Sequence, residues 1–428
     1  MTAGRPAPQQ AAARPRTRSQ AQRASVALAI ASATTGVLPV FLTGALAVQL
    51  EASLHVGATA IGAAVATFFG ASALSSVRAG RAAERAGPFK VMLVAVGLAV
   101  LSLLGVGLAV GSLPTLLGFL VAGGLANGAM QPAVNLLLAR TVDDRRQGLA
   151  FGVKQAAIPT STLLSGLAVP ALAQTVGWHV AYLVAAGLAA LVGAVLVLPG
   201  RRLIPGPAPT GRRPPARGAG GGAGGAAGDG FDARPLVLLA AAMACAVAAS
   251  NAMGSFVVPG AVHDGVAPGL AGLLSAAGSV VGLSVRVGLG WRADRTTVRG
   301  RPAAAAHLRT VVSLIAVGAV GYAALALGTY GLLVPGVLLA YGGGWGYNGL
   351  FNLAVVRAHP QAPARATGVT QVGTYLGGMI GPLGFGIVAD RLGFAVGWAL
   401  CAGLALLAVA AFTLSRRRLQ PARTGGLG

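Results

Sequence analysis

Residues Gly80-Arg81-Ala82-Ala83-Glu84-Arg85 return 210 positions later as Gly290-Trp291-Arg292-Ala293-Asp294-Arg295, with glycine, acid and arginine in the same places. Other matches keep nearly the same offset. Asn135-Leu136-Leu137-Leu138-Ala139-Arg140 is answered by Asn352-Leu353-Ala354-Val355-Val356-Arg357, and Gly152-Val153-Lys154-Gln155 by Gly368-Val369-Thr370-Gln371. Gly177 meets Gly393 at that last offset. One such match is cheap in a Gly- and Ala-rich chain, but four in register mark two related halves.

Around these motifs lie long apolar runs. A helix needs about 20 apolar residues to cross a hydrocarbon core ~30 Å thick. Such runs fall at about 25–47, 57–78, 89–110, 113–139, 149–172 and 178–199. They resume at about 234–258, 267–289, 306–328, 331–355, 366–389 and 394–415. We number them spans 1 to 12. Residues 200–233 interrupt them with Pro, Arg and a Gly/Ala tract, a composition that buries nothing and serves as a flexible linker. The expected fold class is therefore an all-α membrane protein with twelve transmembrane helices in two pseudo-symmetric six-helix bundles. The expected division is a disordered cytoplasmic tail (1–24), an N-terminal bundle (25–199), a cytoplasmic linker (200–233), a C-terminal bundle (234–415) and a second cytoplasmic tail (416–428). Ala45-Leu46-Ala47 resembles a signal-peptidase site, but cleavage there leaves eleven helices and breaks the repeat. Span 1 is expected to stay. Repeats of equal orientation are related by an axis along the membrane normal.

Composition and charge agree. Only 10% of residues are charged while 55% are hydrophobic, too little charge to cover a water-facing surface of this size. The net charge of +23 raises nucleic-acid binding, which clusters basic residues on one face among aromatics. Here all basic residues but Lys154 and Arg391 lie in the tails or in alternate segments sharing one side. That is the positive-inside pattern of a cytoplasmic (inner) membrane protein with both termini inside. Nucleic acid is not an expected partner; the lipid bilayer and a small-molecule substrate are, and the chain is expected to work as a monomer. Cys245 and Cys401 sit far apart in apolar runs, so no metal and no cofactor is expected.

At this point the sequence resembles the major facilitator superfamily over about residues 25–415. The family carries a Gly-x-x-x-Asp-Arg-x-Gly-Arg-Lys-type motif in the loop between helices 2 and 3. Gly80, Glu84, Arg85, Gly87 and Lys90 fall on it, with Glu for Asp and Pro88-Phe89 where a basic residue is usual. The second copy keeps Gly290, Asp294 and Arg295. The resemblance implies that these acids latch the halves on the cytoplasmic side in the outward-open state. A carboxylate beside a helix N-terminus gains ~0.3–1 kcal/mol, which makes the latch physically reasonable.

The polar groups inside the spans are the candidate substrate pathway. Lys154 lies a few residues inside span 5, and an intramembrane charge costs at least ~2.5–3.5 kcal/mol, so it either lines a polar cavity or snorkels to the interface. In a cavity it attracts an anion. Gln155 neighbours it; Gln371 and Tyr375 hold the matching stripe of span 11. Asn127, Gln131 and Asn135 of span 4, Asn251 of span 7, and Trp345, Tyr347 and Asn348 of span 10 add to the set. The family's cavity is lined by helices 1, 4, 7 and 10 with 2, 5, 8 and 11. Arg286, four residues before Gly290, reads as an interfacial anchor. None of the nine acids falls near the middle of a span, so the buried carboxylate of many proton-coupled carriers is missing. Glu51 and Asp264, at matching ends of spans 1 and 7, read as candidate gates.

A secondary transporter of a small solute, such as an organic anion, working by alternating access, is the leading expectation. The alternatives are a multidrug or metabolite efflux pump of the same superfamily and a non-transporting sensor or scaffold. Span 5 has Pro159, Gly166 and Pro170 but lacks the Gly-Pro-x-x-Gly-Gly run of efflux members; span 11 has a glycine run instead. An enzyme is not expected, because no nucleophile with a base, carboxylate pair or metal set stands within the spans.

Overall fold

The computed structural model describes residues 15–142, 153–197, 234–295, 301–359 and 363–419. The expected linker, residue Gly152 and the extreme tails lie outside them, as do the side chains of Asp294 and Arg295.

The described chain is helical throughout. Span 1 is α1 (Pro15–Ala45), with the short α2 (Ala47–Leu54) beyond its end; spans 2, 3 and 4 are α3 (Ala58–Ala86), α4 (Pro88–Ala109) and α5 (Leu113–Thr141). Span 5 is α6 (Ala157–Ala168), extended by a π-helical turn at Val169–Ala173, and span 6 is α7 (Trp178–Val197). In the second half, spans 7, 8 and 9 are α8 (Arg234–His263), α9 (Pro268–Arg295) and α10 (Arg301–Ala326). Span 10 is α11 (Tyr330–Gly346) with α12 (Asn348–Ala358); spans 11 and 12 are α13 (Pro363–Leu392) and α14 (Phe394–Leu419). Among the described residues, ten helices are long and apolar enough to cross a membrane uninterrupted. The other two spans, 5 and 10, are broken, and both breaks matter below.

Burial sorts the spans into layers. The most apolar windows of spans 1 and 7 are 78% and 67% buried, that of span 12 only 28%. Spans 1 and 7 therefore form the centre and span 12 the rim. Rim helices turn leucine and valine outward, as with Leu101, Leu104 and Leu108 on α4 or Leu406 and Leu407 on α14. In lipid such a surface costs nothing, and exposed Trp291 and Tyr330 near helix ends suit the interface.

The repeat is visible in backbone geometry. Gly177 and Gly393 both have positive φ, 101° and 91°, in the tight turns before α7 and α14. His55 (φ 54°) and Gly265 (φ 87°) close the matching ends of spans 1 and 7.

Two boundaries differ from expectation. The Gly80–Arg85 motif is not a loop: α3 continues through Ala86, and the turn is made by Gly87 (φ 90°) and Pro88 at the start of α4. Arg, Ala and Glu are good helix formers, so the helix outlasts its apolar run. For the same reason α1 starts at Pro15, making residues 15–24 helical rather than disordered. The glycine run of span 11 is explained by packing. A Cβ at Gly373, Gly377 or Gly381 would collide with the carbonyl of Ala240, Ala244 or Ala248 on α8, a parallel small-residue contact inside one half.

Candidate functional site

The halves meet along two seams, α6 with α9 and α3 with α13. The first is closed through most of its length. Farthest from the chain termini, a Cβ at Gly166 or Gly272 would stand 2.7 or 2.6 Å from the other's carbonyl oxygen. Two turns on, Ser279 donates to Thr162 Oγ1 at 2.8 Å. Seven residues further along α9 comes Arg286.

Arg286 is 4% exposed, so the sequence reading of an interfacial anchor is overturned. It donates from Nη1 to the Gln155 carbonyl at 2.6 Å, and from Nε and Nη2 to the Trp345 carbonyl at 3.0 and 2.8 Å. One guanidinium thus ties a broken helix of one half to a broken helix of the other. The breaks create its acceptors. Pro159 has no N–H to return to the Gln155 carbonyl, and the chain at Gln155–Ala156 is a turn closed by Ala156 N to Val153 O at 2.9 Å. The interruption at Tyr347, between α11 and α12, frees the Trp345 carbonyl in the same way. Non-helical backbone survives at membrane depth only where protein satisfies it, and here an arginine does so.

Lys154 is 6% exposed and does not snorkel. Its ammonium donates to Gln131 Oε1 on α5. Gln131 Nε2 donates to Asn127 Oδ1 at 3.2 Å, and Asn127 Nδ2 to Ser72 Oγ at 3.0 Å. Ser72 in turn donates to the carbonyls of Phe68 and Gly124 at 2.9 and 3.0 Å. Every donor in this row points away from the lysine, so each amide presents its oxygen toward the charge, and such chains polarise cooperatively. Ser161, one of the hydroxyls on the lysine's face, bonds the Thr34 carbonyl of α1 at 3.0 Å. Lys154 therefore lies inside the N-terminal half, while the adjacent Gln155 reaches the seam. Among the described residues neither Lys154 nor Arg286 meets a carboxylate.

The second seam is tightest at the end opposite the termini. There a Cβ at Gly62 would strike the Pro382 carbonyl, and one at Gly386 that of Ala58. Near its middle a Cβ at Gly70 would lie 3.5 Å from the Met379 sulfur, and one at Gly378 would crowd the Phe69 ring. Toward the termini the α13 stripe opens, with Tyr375 half-buried and Gln371 exposed. The α5 stripe does the same: Asn127 is buried, Gln131 half-buried and Asn135 exposed. Both stripes open toward the side of the termini.

The remaining sequence candidates are interior. Trp345 is buried edge-on against Phe41 of α1 and Tyr341, with ring centroids 5.5 Å apart in each case. Tyr347, Asn348 and Asn251 are buried, Asn251 beside Gly378 on α13. Of the first motif copy, Glu84, Arg85 and Lys90 are exposed and Gly80 and Gly87 half-exposed, as is Gly290 of the second. The candidate gate Asp264 is exposed; Glu51 is partly buried. Among the described residues no group of His, Cys, Asp and Glu is placed to hold a metal.

The family model of the Major Facilitator Superfamily matches residues 24–382. The chain belongs to the major facilitator superfamily. It is a multi-pass membrane protein and a secondary transporter, not an enzyme. Two solved structures of a bacterial homolog to the human lysosomal transporter Spinster share its fold. The inward-facing, occupied form has a TM-score of 0.70 at 15% identity, over 92% of this chain and 97% of that one. The inward-facing, unoccupied form has 0.67 at 13%, over 93% and 97%. No curated protein matches the sequence.

Proposed function

We propose that this carrier moves a small organic anion across the cytoplasmic membrane by alternating access, with both termini in the cytoplasm. The carrying observation is the pair of buried basic side chains, Lys154 and Arg286, which among the described residues meet neutral oxygens only. A buried charge is costly until something compensates it. An anion arriving from the open side supplies that compensation, with Gln131, Gln155 and Gln371 as polar neighbours. The packed seams opposite the termini and the opening stripes on the other side support an inward-facing state, the state named for both similar structures. The exposed Glu84 is consistent with a cytoplasmic latch that is released in it. Close packing against α8 accounts for the span 11 glycines without an efflux role.

The test is a counterflow screen of small organic anions in proteoliposomes, comparing the parent with Lys154→Gln. Flux of the cognate anion is expected to fall at least tenfold in the variant. Equal flux would retire the anion reading.

A further inference from the structure

The seam end opposite the termini carries a contact unlike the glycine packing around it. Asp390, on α13 of the C-terminal half, accepts from the backbone N–H of Ala58 at 2.9 Å and of Thr59 at 2.8 Å. Those are the first two residues of α3, in the N-terminal half. A carboxylate thus caps a helix across the midline, at the positive end of its dipole. Gly57 leaves room for it, since a Cβ there would lie 2.9 Å from both carboxylate oxygens. The contact joins the two halves at this end.

Beside it stands Glu51 on α2. Its Oε1 is buried with no hydrogen-bond partner. Burial first, then the charge of Asp390, pushes its carboxyl up to about 7. The other ionisable groups at this end are His55 on the same helix, Arg391 on α13, His263 and Asp264 at the end of α8, and His179 on α7, all exposed. The ends of α1 and α3 that pack here bring none. Each half therefore brings one acid to this closed end. Asp390 accepts from two helix N–H groups, whereas the buried Oε1 of Glu51 has no donor.

We propose that Glu51 is a proton site of this carrier: the outer gate closes on a protonated Glu51 and is driven open when that carboxyl ionises against Asp390. The proposal rests on the alternating-access reading and is independent of the anion and of Lys154. It supplies the acid that the spans lack. The sign follows from linkage. In an open gate Glu51 is hydrated and titrates in the ordinary range, near 4.5; in the closed gate it holds its proton to about 7. Proton-linked closure is complete below the lower value and is lost as pH rises through the upper one. One linked proton shifts the open-to-closed ratio by at most about tenfold per pH unit.

The experiment uses the full chain in lipid nanodiscs without substrate, with Cys245→Ser and Cys401→Ser. Spin labels are placed at Val176 and Leu327, exposed positions at this end of the two halves. Between pH 5 and 8 the parent is expected to pass from a short to a long inter-label distance, with the change centred between pH 6 and 7. Glu51→Gln should stay short across the range. Asp390→Asn, which removes the facing charge and keeps an acceptor for one N–H, should respond to pH with a midpoint shifted downward. The proposal is overturned if Glu51→Gln keeps the parent's pH response, or if Asp390→Asn leaves the midpoint in place. Because no substrate is present, either failure leaves the anion reading standing.

Discussion

Removing Arg286 should damage the protein, and restoring a backbone N–H at residue 159 should repair part of that damage. Arg286→Met deletes three charge-assisted hydrogen bonds and strands the carbonyls of Gln155 and Trp345 in the interior. An orphaned buried acceptor costs about 1–3 kcal/mol, so two cost roughly 2–6 kcal/mol, less whatever is recovered by no longer burying a cation. Pro159→Ala gives the Gln155 carbonyl a partner four residues along its own helix and removes a helix-breaking ring. In the parent this competes with Arg286 for one acceptor, so the single variant should change stability little. In the Arg286→Met background it satisfies one of two orphans, and about 1–3 kcal/mol should return. The two substitutions are thus expected to be strongly non-additive, as residues sharing one partner are. Apparent unfolding midpoints in detergent, measured at one scan rate for parent, both singles and the double, read this directly. A double variant less stable than Arg286→Met would refute the account of the break, because the Gln155 carbonyl would then not be what Arg286 serves.

Other outcomes are tied to single contacts. Gly377→Val forces a branched side chain against the Ala244 carbonyl and should lower the unfolding midpoint, overpacking costing about 1–3 kcal/mol, whereas Gly403→Ala, in open space, should not. Asp294→Asn should slow transport while the protein still inserts and stays monodisperse; an unchanged rate counts against the cytoplasmic latch. Uptake of the cognate anion should respond to external pH in the parent and lose that response in Glu51→Gln.

The spans, the repeat and the family were legible because each rests on composition or on residues aligned in register. Hydropathy marks where a chain enters lipid, and glycine pairs such as Gly177 and Gly393 mark turns that fix both halves alike. Helix ends were less legible, since a helix continues past its apolar segment, as α3 does through Arg81, Glu84 and Arg85. Arg286 was misread for that reason. Measured from the apolar run it sits at an end, but α9 runs nine residues beyond it, about 13 Å of helix. A signal was present: Gly272, Ser279 and Arg286 stand at heptad spacing on one face, opposite a span whose Pro159 leaves a carbonyl free. Asp390 was missed because its partners are backbone N–H groups, which no side-chain pattern announces.

The pseudo-symmetry shows which departures belong together. At the offset of the first motif, Arg286 corresponds to Ser76; at that of span 5, Gln155 corresponds to Gln371, Pro159 to Tyr375 and Lys154 to Thr370. In the second seam Tyr375 stands where Pro159 does, so the Gln371 carbonyl has a backbone N–H four residues along its own helix, and the proline of α13 comes seven residues later at Pro382. The residue facing it needs no charge, and Ser76 lies beside the Tyr375 hydroxyl instead. Thr370 bonds its own helix, to the carbonyl of Thr367 at 3.1 Å. Proline and arginine therefore arise as one unit: the break supplies the acceptor that makes the buried guanidinium tolerable, and the guanidinium supplies the donor that makes the break tolerable. Lys154, one residue from that break, is served instead by Gln131 inside its own half. A carrier whose halves were equal would present two equivalent seams. Here one is tied across its middle by a buried guanidinium, and the other is joined at the matching depth by neutral side chains.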